Sequence, residues 1–280
     1  MAGHAEPERV QLLLDHGADV TLVTSEDQGA LTPMQIACAN RDPDSMQILL
    51  DAGSEPNVAD QQGDTPLHLM TRFQFSESVD QLLTAGAEHS PKNAEELAPL
   101  QTAVSQMDAA CAELLLNAGA ETEVLDTEGA RPLHVAAKQQ DAACLNLLLG
   151  KQAETEPKTS NGDSALHLAC ENSDEDCARP LLEAGAPINE PNAGQNRALH
   201  LACQRDAIHI VRLLIEFGSD TEELNDAGET PLLISAEHAD ARSTEALLHA
   251  GASSHCLYAA PAHSVMFGIG RRECGRRAGR

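Results

Sequence analysis

A fixed step of 33 residues constrains this chain more than any other feature. A Pro or Ala opening an apolar segment stands at Pro33, Pro66, Pro99, Pro132, Ala165, Ala198 and Pro231. A second landmark, the residue closing a Leu-rich stretch, runs Gly53, Gly86, Gly119, Gln152, Gly185, Gly218 and Gly251 in the same step. Gly17 lies 36 residues before Gly53, so the first connection carries three extra residues between Thr21 and Leu31. Self-similarity at a fixed short period is the mark of a solenoid, because one such unit cannot bury its own apolar face and must stack.

Each unit reads as two short helices and a turn. Arg131-Pro132-Leu133-His134-Val135-Ala136-Ala137 opens a helix with Pro in its first turn, where a missing N–H costs little. The second helix, about Ala142 to Leu149, carries Leu145, Leu147, Leu148 and Leu149, a stripe too wide for a free-standing helix. Its counterparts end at Gly, which adopts the left-handed closing conformation without strain. Polar runs such as Glu121 to Gly129 then lead to the next unit with the chemistry of a projecting turn.

Thr65-Pro66-Leu67-His68-Leu69 at this period resembles the ankyrin repeat, whose signature is T-P-L-H-x-A. The resemblance covers residues 2 to 252. It implies an all-α solenoid, a stack of helix-turn-helix units with β-hairpin fingers along one edge and a face formed with the first helices. The expected organisation is a partial N-terminal repeat over 1–19, seven repeats over 20–252, and an irregular, disordered, Arg-rich tail over 253–280.

Several positions depart from that pattern. The third unit, Leu97-Ala98-Pro99-Leu100-Gln101, lacks the Thr and His of the motif, which predicts a softer joint. Gln152 replaces a Gly, at a cost on the order of 1 kcal/mol if it is held at positive φ, with Gly150 placed to end that helix early. Pro180 falls in the register of Leu114, Leu147 and Leu213, inside a second helix, which predicts a kink near Arg179. The chain begins Ala2-Gly3-His4-Ala5-Glu6, like an inter-helix turn with no first helix before it, so an apolar edge is expected to stand uncovered and the chain to be a fragment or isoform. The last ten residues hold five Arg and one Glu, so residues 1–270 carry a net charge of −30 against −26 for the whole.

Composition narrows the function. Of 280 residues 42% are hydrophobic but only 2% aromatic, which suits thin Leu and Ala interfaces. A net charge of −26 repels phosphate backbones and anionic lipid, so nucleic acid is excluded as a partner. No apolar run reaches the roughly 20 residues of a membrane span. The eight Cys show no CxxC pair and no signal peptide precedes them, which points to a reducing compartment, the cytoplasm with the nucleus as alternative.

His68, His134, His167 and His200 form one repeat column, as do Cys38, Cys170 and Cys203, and Cys111, Cys144 and Cys177. Column neighbours stand a helix-packing distance of about 8–10 Å apart. That is too far for shared zinc ligation at about 2 Å or for a disulfide. No metal, cofactor or catalytic constellation is expected, and the ankyrin resemblance implies that the histidines tie their turns.

The expected function is a non-catalytic scaffold or adaptor that binds a polypeptide with basic and apolar features. The alternative is a regulatory or targeting segment of a larger enzyme, channel or ubiquitin-ligase adaptor. Mapping the family's variable contact positions onto this register gives Gln62, Asp64, Arg72 and Phe73, then Glu95 and Leu97, then Glu128, Lys138 and Gln139. The later units supply Asp163 and Glu171, then Arg205, then Asp226, Glu229 and Glu237. Phe73 is one of five aromatics, and aromatic anchors are enriched at binding hot spots. The competing reading tucks Phe73 and Phe75 against their own repeat.

Overall fold

The structure, a computed structural model, describes residues 7–25 and 31–254. The start at Ala2–Glu6 and the arginine-rich tail lie outside the described residues. The chain divides into two compact units, Met1–Glu154 and Thr155–Arg280. In the first, α1 (Pro7–Asp15) is followed by four helix pairs: α2 (Pro33–Ala39) with α3 (Pro43–Asp51), α4 (Pro66–Arg72) with α5 (Ser76–Thr84), α6 (Pro99–Ser105) with α7 (Ala109–Asn117), and α8 (Pro132–Gln139) with α9 (Ala142–Gly150). The second holds three pairs: α10 (Ala165–Glu171) with α11 (Glu175–Glu183), α12 (Ala198–Gln204) with α13 (Ile208–Glu216), and α14 (Pro231–Glu237) with α15 (Ala241–His249). Among the described residues there is no β-strand, and the fingers between pairs are closed turns rather than strand ladders.

Each unit is two helical layers. In the first, α2, α4, α6 and α8 pack side by side in one layer and α1, α3, α5, α7 and α9 in the other. The core between them is Leu67, Leu82, Leu100, Leu115, Leu133, Leu145 and Leu148, each 2% exposed or less. Each such burial contributes roughly 1.5–3 kcal/mol. Ala103 and Ala136, both fully buried, let neighbouring helices approach closely. Leu166, Leu181, Leu199 and Leu214 do the same work in the second unit, with Ala169 and Ala202 between them. On α1, Leu12 and Leu13 are exposed.

Five of the seven second helices begin at an Asp whose side chain accepts a backbone N–H of the first turn, and α5 and α13 begin at Phe75 and Ala207 without such a cap. Asp42, Asp108 and Asp141 bond Ser45, Cys111 and Cys144 at 3.0–3.1 Å. They end in a paired closure: Gly53 N–H reaches Leu50 O and Ser54 N–H reaches Leu49 O, both at 2.9 Å, with Gly53 at φ 83°. Gln152 makes the same closure at φ 62°, and α9 keeps its siblings' nine-residue length, so Gly150 does not shorten it. The inter-helix turns hold a further left-handed residue in every pair, and none is Gly: Arg41, Gln74, Met107, Gln140, Ser173, Asp206 and Ala239. Left-handed backbone costs an L-residue roughly 1–2 kcal/mol, offset in part by the greater unfolded freedom of Gly. Gln152→Gly and Met107→Gly are each expected to raise stability by about 1 kcal/mol, read as a higher urea midpoint at unchanged m. An unchanged midpoint for both would refute the assigned strain.

One departure resolves differently from its sequence reading. Gln101 stands in the histidine column and ties the third unit firmly. Its Oε1 accepts the Ala98 N–H at 2.9 Å and its Nε2 donates to Val124 O at 3.0 Å. That joint is not soft, because an amide separates acceptor from donor much as imidazole does. α11 runs from Glu175 to Glu183 with Pro180 inside it.

Candidate functional site

The fingers owe their shape to one column of short polar residues: Asp60, Asn93, Asp126, Thr159, Asn192 and Asn225. Asp60 Oδ1 accepts the N–H groups of Gln62 and Asp64 at 2.9 Å, and the Asp60 N–H donates to Asp64 O at 2.9 Å. Asn93, Asp126, Asn192 and Asn225 repeat this with distances of 2.8–3.1 Å. These side chains replace the missing strand ladder. Neighbouring fingers are then joined inside each unit. Asn93 Nδ2 donates to Asp64 at 2.8 Å in the first, and Asn192 to Asp163 at 2.7 Å and Asn225 to Asn196 at 3.0 Å in the second. Gly162 is needed here, since a Cβ on it would lie 2.6 Å from the Ala193 nitrogen.

Behind the fingers, the histidine column fixes the first helices. His68 Nδ1 accepts the Thr65 N–H at 3.1 Å, which leaves Nε2 to donate to Leu97 O at 3.1 Å. His167 joins Ser164 to Asn196 at 3.2 and 3.1 Å, and His200 joins Arg197 to Glu223 and Glu229 at 3.2, 3.0 and 3.2 Å. His134 accepts the Arg131 N–H at 3.1 Å. Burial lowers the pKa of His68, His167 and His200, against the opposing pull of the carbonyls and carboxylates around them. These residues are structural ties with both ring nitrogens engaged in the three traced completely.

The cysteines are free and buried at Cys38, Cys111, Cys144, Cys170, Cys177 and Cys203. Burial pushes the Cys38 thiol up to about 12, which keeps it protonated and unreactive at neutral pH. Cys111, Cys144 and Cys177 occupy the position of Ser45, whose hydroxyl donates to Asp42 Oδ2 at 2.6 Å. At Asp108 and Asp141 the partner is the weaker thiol donor of Cys111 and Cys144. Cys144→Ser is therefore expected to raise stability by about 1 kcal/mol by supplying the stronger donor. A lower melting temperature for that variant would show that the Asp42–Ser45 geometry does not transfer.

The residues expected to meet a partner divide by role. In the first unit Gln62, Glu95, Glu128, Lys138 and Gln139 are exposed on finger tips and helix ends. Asp64 is only 4% exposed, held by Arg72 at 2.8 Å and by Asn93, so it belongs to the scaffold. Leu97 is half-buried with its carbonyl occupied by His68. Phe73 is half-buried too: the Arg41 guanidinium lies 4.3 Å over its ring, and Phe75 meets it edge-on at 6.5 Å. Lys138 faces Glu128 at 3.9 Å.

In the second unit Asp226 and Glu237 are exposed, and exposed Arg205 bridges to half-buried Glu171 at 2.9 Å. Asp163 and Glu229 accept amide protons from Asn192 and Asn225, so they brace fingers. The sequence reading missed this bracing role, although the 33-residue column of Asp and Asn was there to signal it. Exposed pairs of this kind contribute about 0–1 kcal/mol, so a partner can displace them at small cost. No group of His, Cys, Asp and Glu among the described residues is arranged to hold a metal ion. No helix among them is long and apolar enough to cross a membrane.

Comparison with known proteins follows the same pattern. A family model described as ankyrin repeats (3 copies) matches residues 1–93, 100–193 and 188–256. Among solved structures, the ankyrin repeat domain of Bcl-3, a member of the IkappaB protein family, is similar at 26% identity and a TM-score of 0.69, covering 78% of this chain and 98% of that one. The human ASB11 ankyrin repeat domain shares the fold at 24% identity and a TM-score of 0.67, covering 79% and 98%. No curated protein sequence matches the chain significantly.

Proposed function

The chain belongs to the ankyrin-repeat family, and on that premise we propose that it is a non-catalytic scaffold or adaptor that binds a polypeptide partner through its finger tips and first helices. The partner presents basic and apolar features. The observation that carries this reading is the division of labour in the repeat. His and the bracing Asp and Asn side chains are held in structural bonds and the described Cys thiols are buried, while Gln62, Glu95, Glu128, Gln139, Asp226 and Glu237 stand exposed on tips and helix ends. The net charge of −26 favours a cationic partner and steers its approach.

Peptide display against the full chain tests it. Selected sequences should alternate Lys or Arg with apolar residues and bind more weakly in high salt. Glu95→Lys with Glu128→Lys, or Asp226→Lys with Glu237→Lys, should weaken them at least tenfold. Selected peptides free of basic residues, or indifferent to both double variants, would overturn the reading.

A further inference from the structure

In the first unit, the N-terminal ends of α3 and α5 and the turn at Gln74–Phe75 enclose a groove of about 560 Å³. It lies on the layer of second helices, away from the first-helix layer. Ile48 and Phe75 give it apolar walls, Asp44 and Glu77 stand in the first turns of the two helices, and Gln47 and Gln81 complete it. No Lys or Arg lines it. Neither Asp44 nor Glu77 forms an ion pair among the described residues. The groove thus offers two carboxylates and one aromatic ring, and no donor of matching charge.

The geometry points to this groove as a docking site for an arginine side chain presented by a partner polypeptide. A guanidinium supplies five N–H donors in one plane and stacks on aromatic faces. The unit already uses that chemistry next door, where Arg41 covers the ring of Phe73 at 4.3 Å. Phe73 in turn holds Phe75 edge-on at an interplanar angle of 65°. Phe75 lines the groove and has no cation of its own. The positive ends of α3 and α5 oppose a cation, and the carboxylates of Asp44 and Glu77 in the same first turns reverse that field. The proposal does not depend on the finger-tip surface.

The test titrates the full chain, labelled at the Ile methyl groups, with acetyl-Gly-Leu-Arg-Leu-Gly-amide and follows Ile48 by NMR. The arginine peptide should shift the Ile48 methyl, and the uncharged citrulline version should bind at least tenfold more weakly. Asp44→Asn with Glu77→Gln, both at exposed first-turn positions, should weaken the arginine peptide at least fivefold. Glu95→Gln with Glu128→Gln should leave it unchanged. Equal binding of citrulline, or of a lysine version, would overturn the assignment to arginine. Loss confined to the finger variants would overturn the groove and leave the finger-tip reading standing. An Ile48 shift that follows protein concentration without peptide would assign the groove to a second copy of the chain instead.

Discussion

His167→Ala is expected to lower stability by about 2–5 kcal/mol, while His167→Gln costs less than about 1 kcal/mol. The alanine leaves the Ser164 N–H, now bonded at 3.2 Å, buried and unpaired, and takes from the Asn196 carbonyl, which keeps the Asn192 N–H at 2.9 Å, its second donor at 3.1 Å. The orphan costs about 1–3 kcal/mol, and the lost second bond and the emptied ring site add to it. Glutamine has a precedent in this chain. Gln35 accepts the Thr32 N–H at 2.8 Å and donates to Val58 O at 3.3 Å, and Gln101 makes the same two bonds. At position 167 the carbonyl of Glu190, 23 residues on, faces the ring and is within the same reach. Urea denaturation of the three proteins at pH 7 decides the matter. Equal losses for Ala and Gln would show that imidazole packing, rather than the paired bonds, holds the turn.

The same histidines set the response to acid. Burial lowers the pKa of His68, His167 and His200 below the ordinary 6.5, so the unfolded chain binds protons that the folded chain refuses. Stability is then full above the unfolded pKa and is lost as pH falls below it. The slope is at most about 1.4 kcal/mol per pH unit for each histidine. Between pH 7.5 and 5.5 His167→Gln with His200→Gln should flatten this decline. A double variant with the wild-type profile would remove the histidines from the account.

How much was legible beforehand follows from the repeat. A position in a solenoid meets nearly the same neighbours in every unit, so residue columns 33 apart announced the helices, their Pro starts and their Gly ends. The equivalence of Gln101 to His68 was hidden, because it lies in the spacing of an acceptor and a donor rather than in residue class. The left-handed turn residues were hidden as well, since Met107 or Ala239 carries no propensity for that conformation. For the surface, exposure of Glu95, Glu128 and Glu237 followed from turn chemistry. The burial of Asp64 did not, because it depends on Arg72 and on Asn93 of the next finger. Phe73 illustrates the same limit: its register position aimed it outward, and Arg41, 32 residues earlier, covers its ring.

Pro180→Leu is expected to raise stability by up to about 3 kcal/mol. Pro180 lies past the first turn of α11, whose cap is Asp174, so its ring nitrogen cannot donate to the Asp176 carbonyl four residues back. The helix nevertheless continues, and Ala184 N–H reaches Pro180 O at 2.9 Å. What carries it through the break is packing and termini. Cys177, Ala178, Leu181 and Leu182 are buried, Asp174 caps the start, and Arg179 bonds Glu175 at 2.7 Å. Leu at this register is already accepted as Leu213 in α13, 2% exposed. The substitution restores one backbone bond and adds apolar contact in a half-buried place without altering the cap. In a stack of repeats a gain in one unit also strengthens its neighbours through their shared interface. Amide exchange should therefore slow in α11 and α13 together. A variant with faster exchange there, or with an unchanged urea midpoint, would mean that the helix is already shaped around its proline.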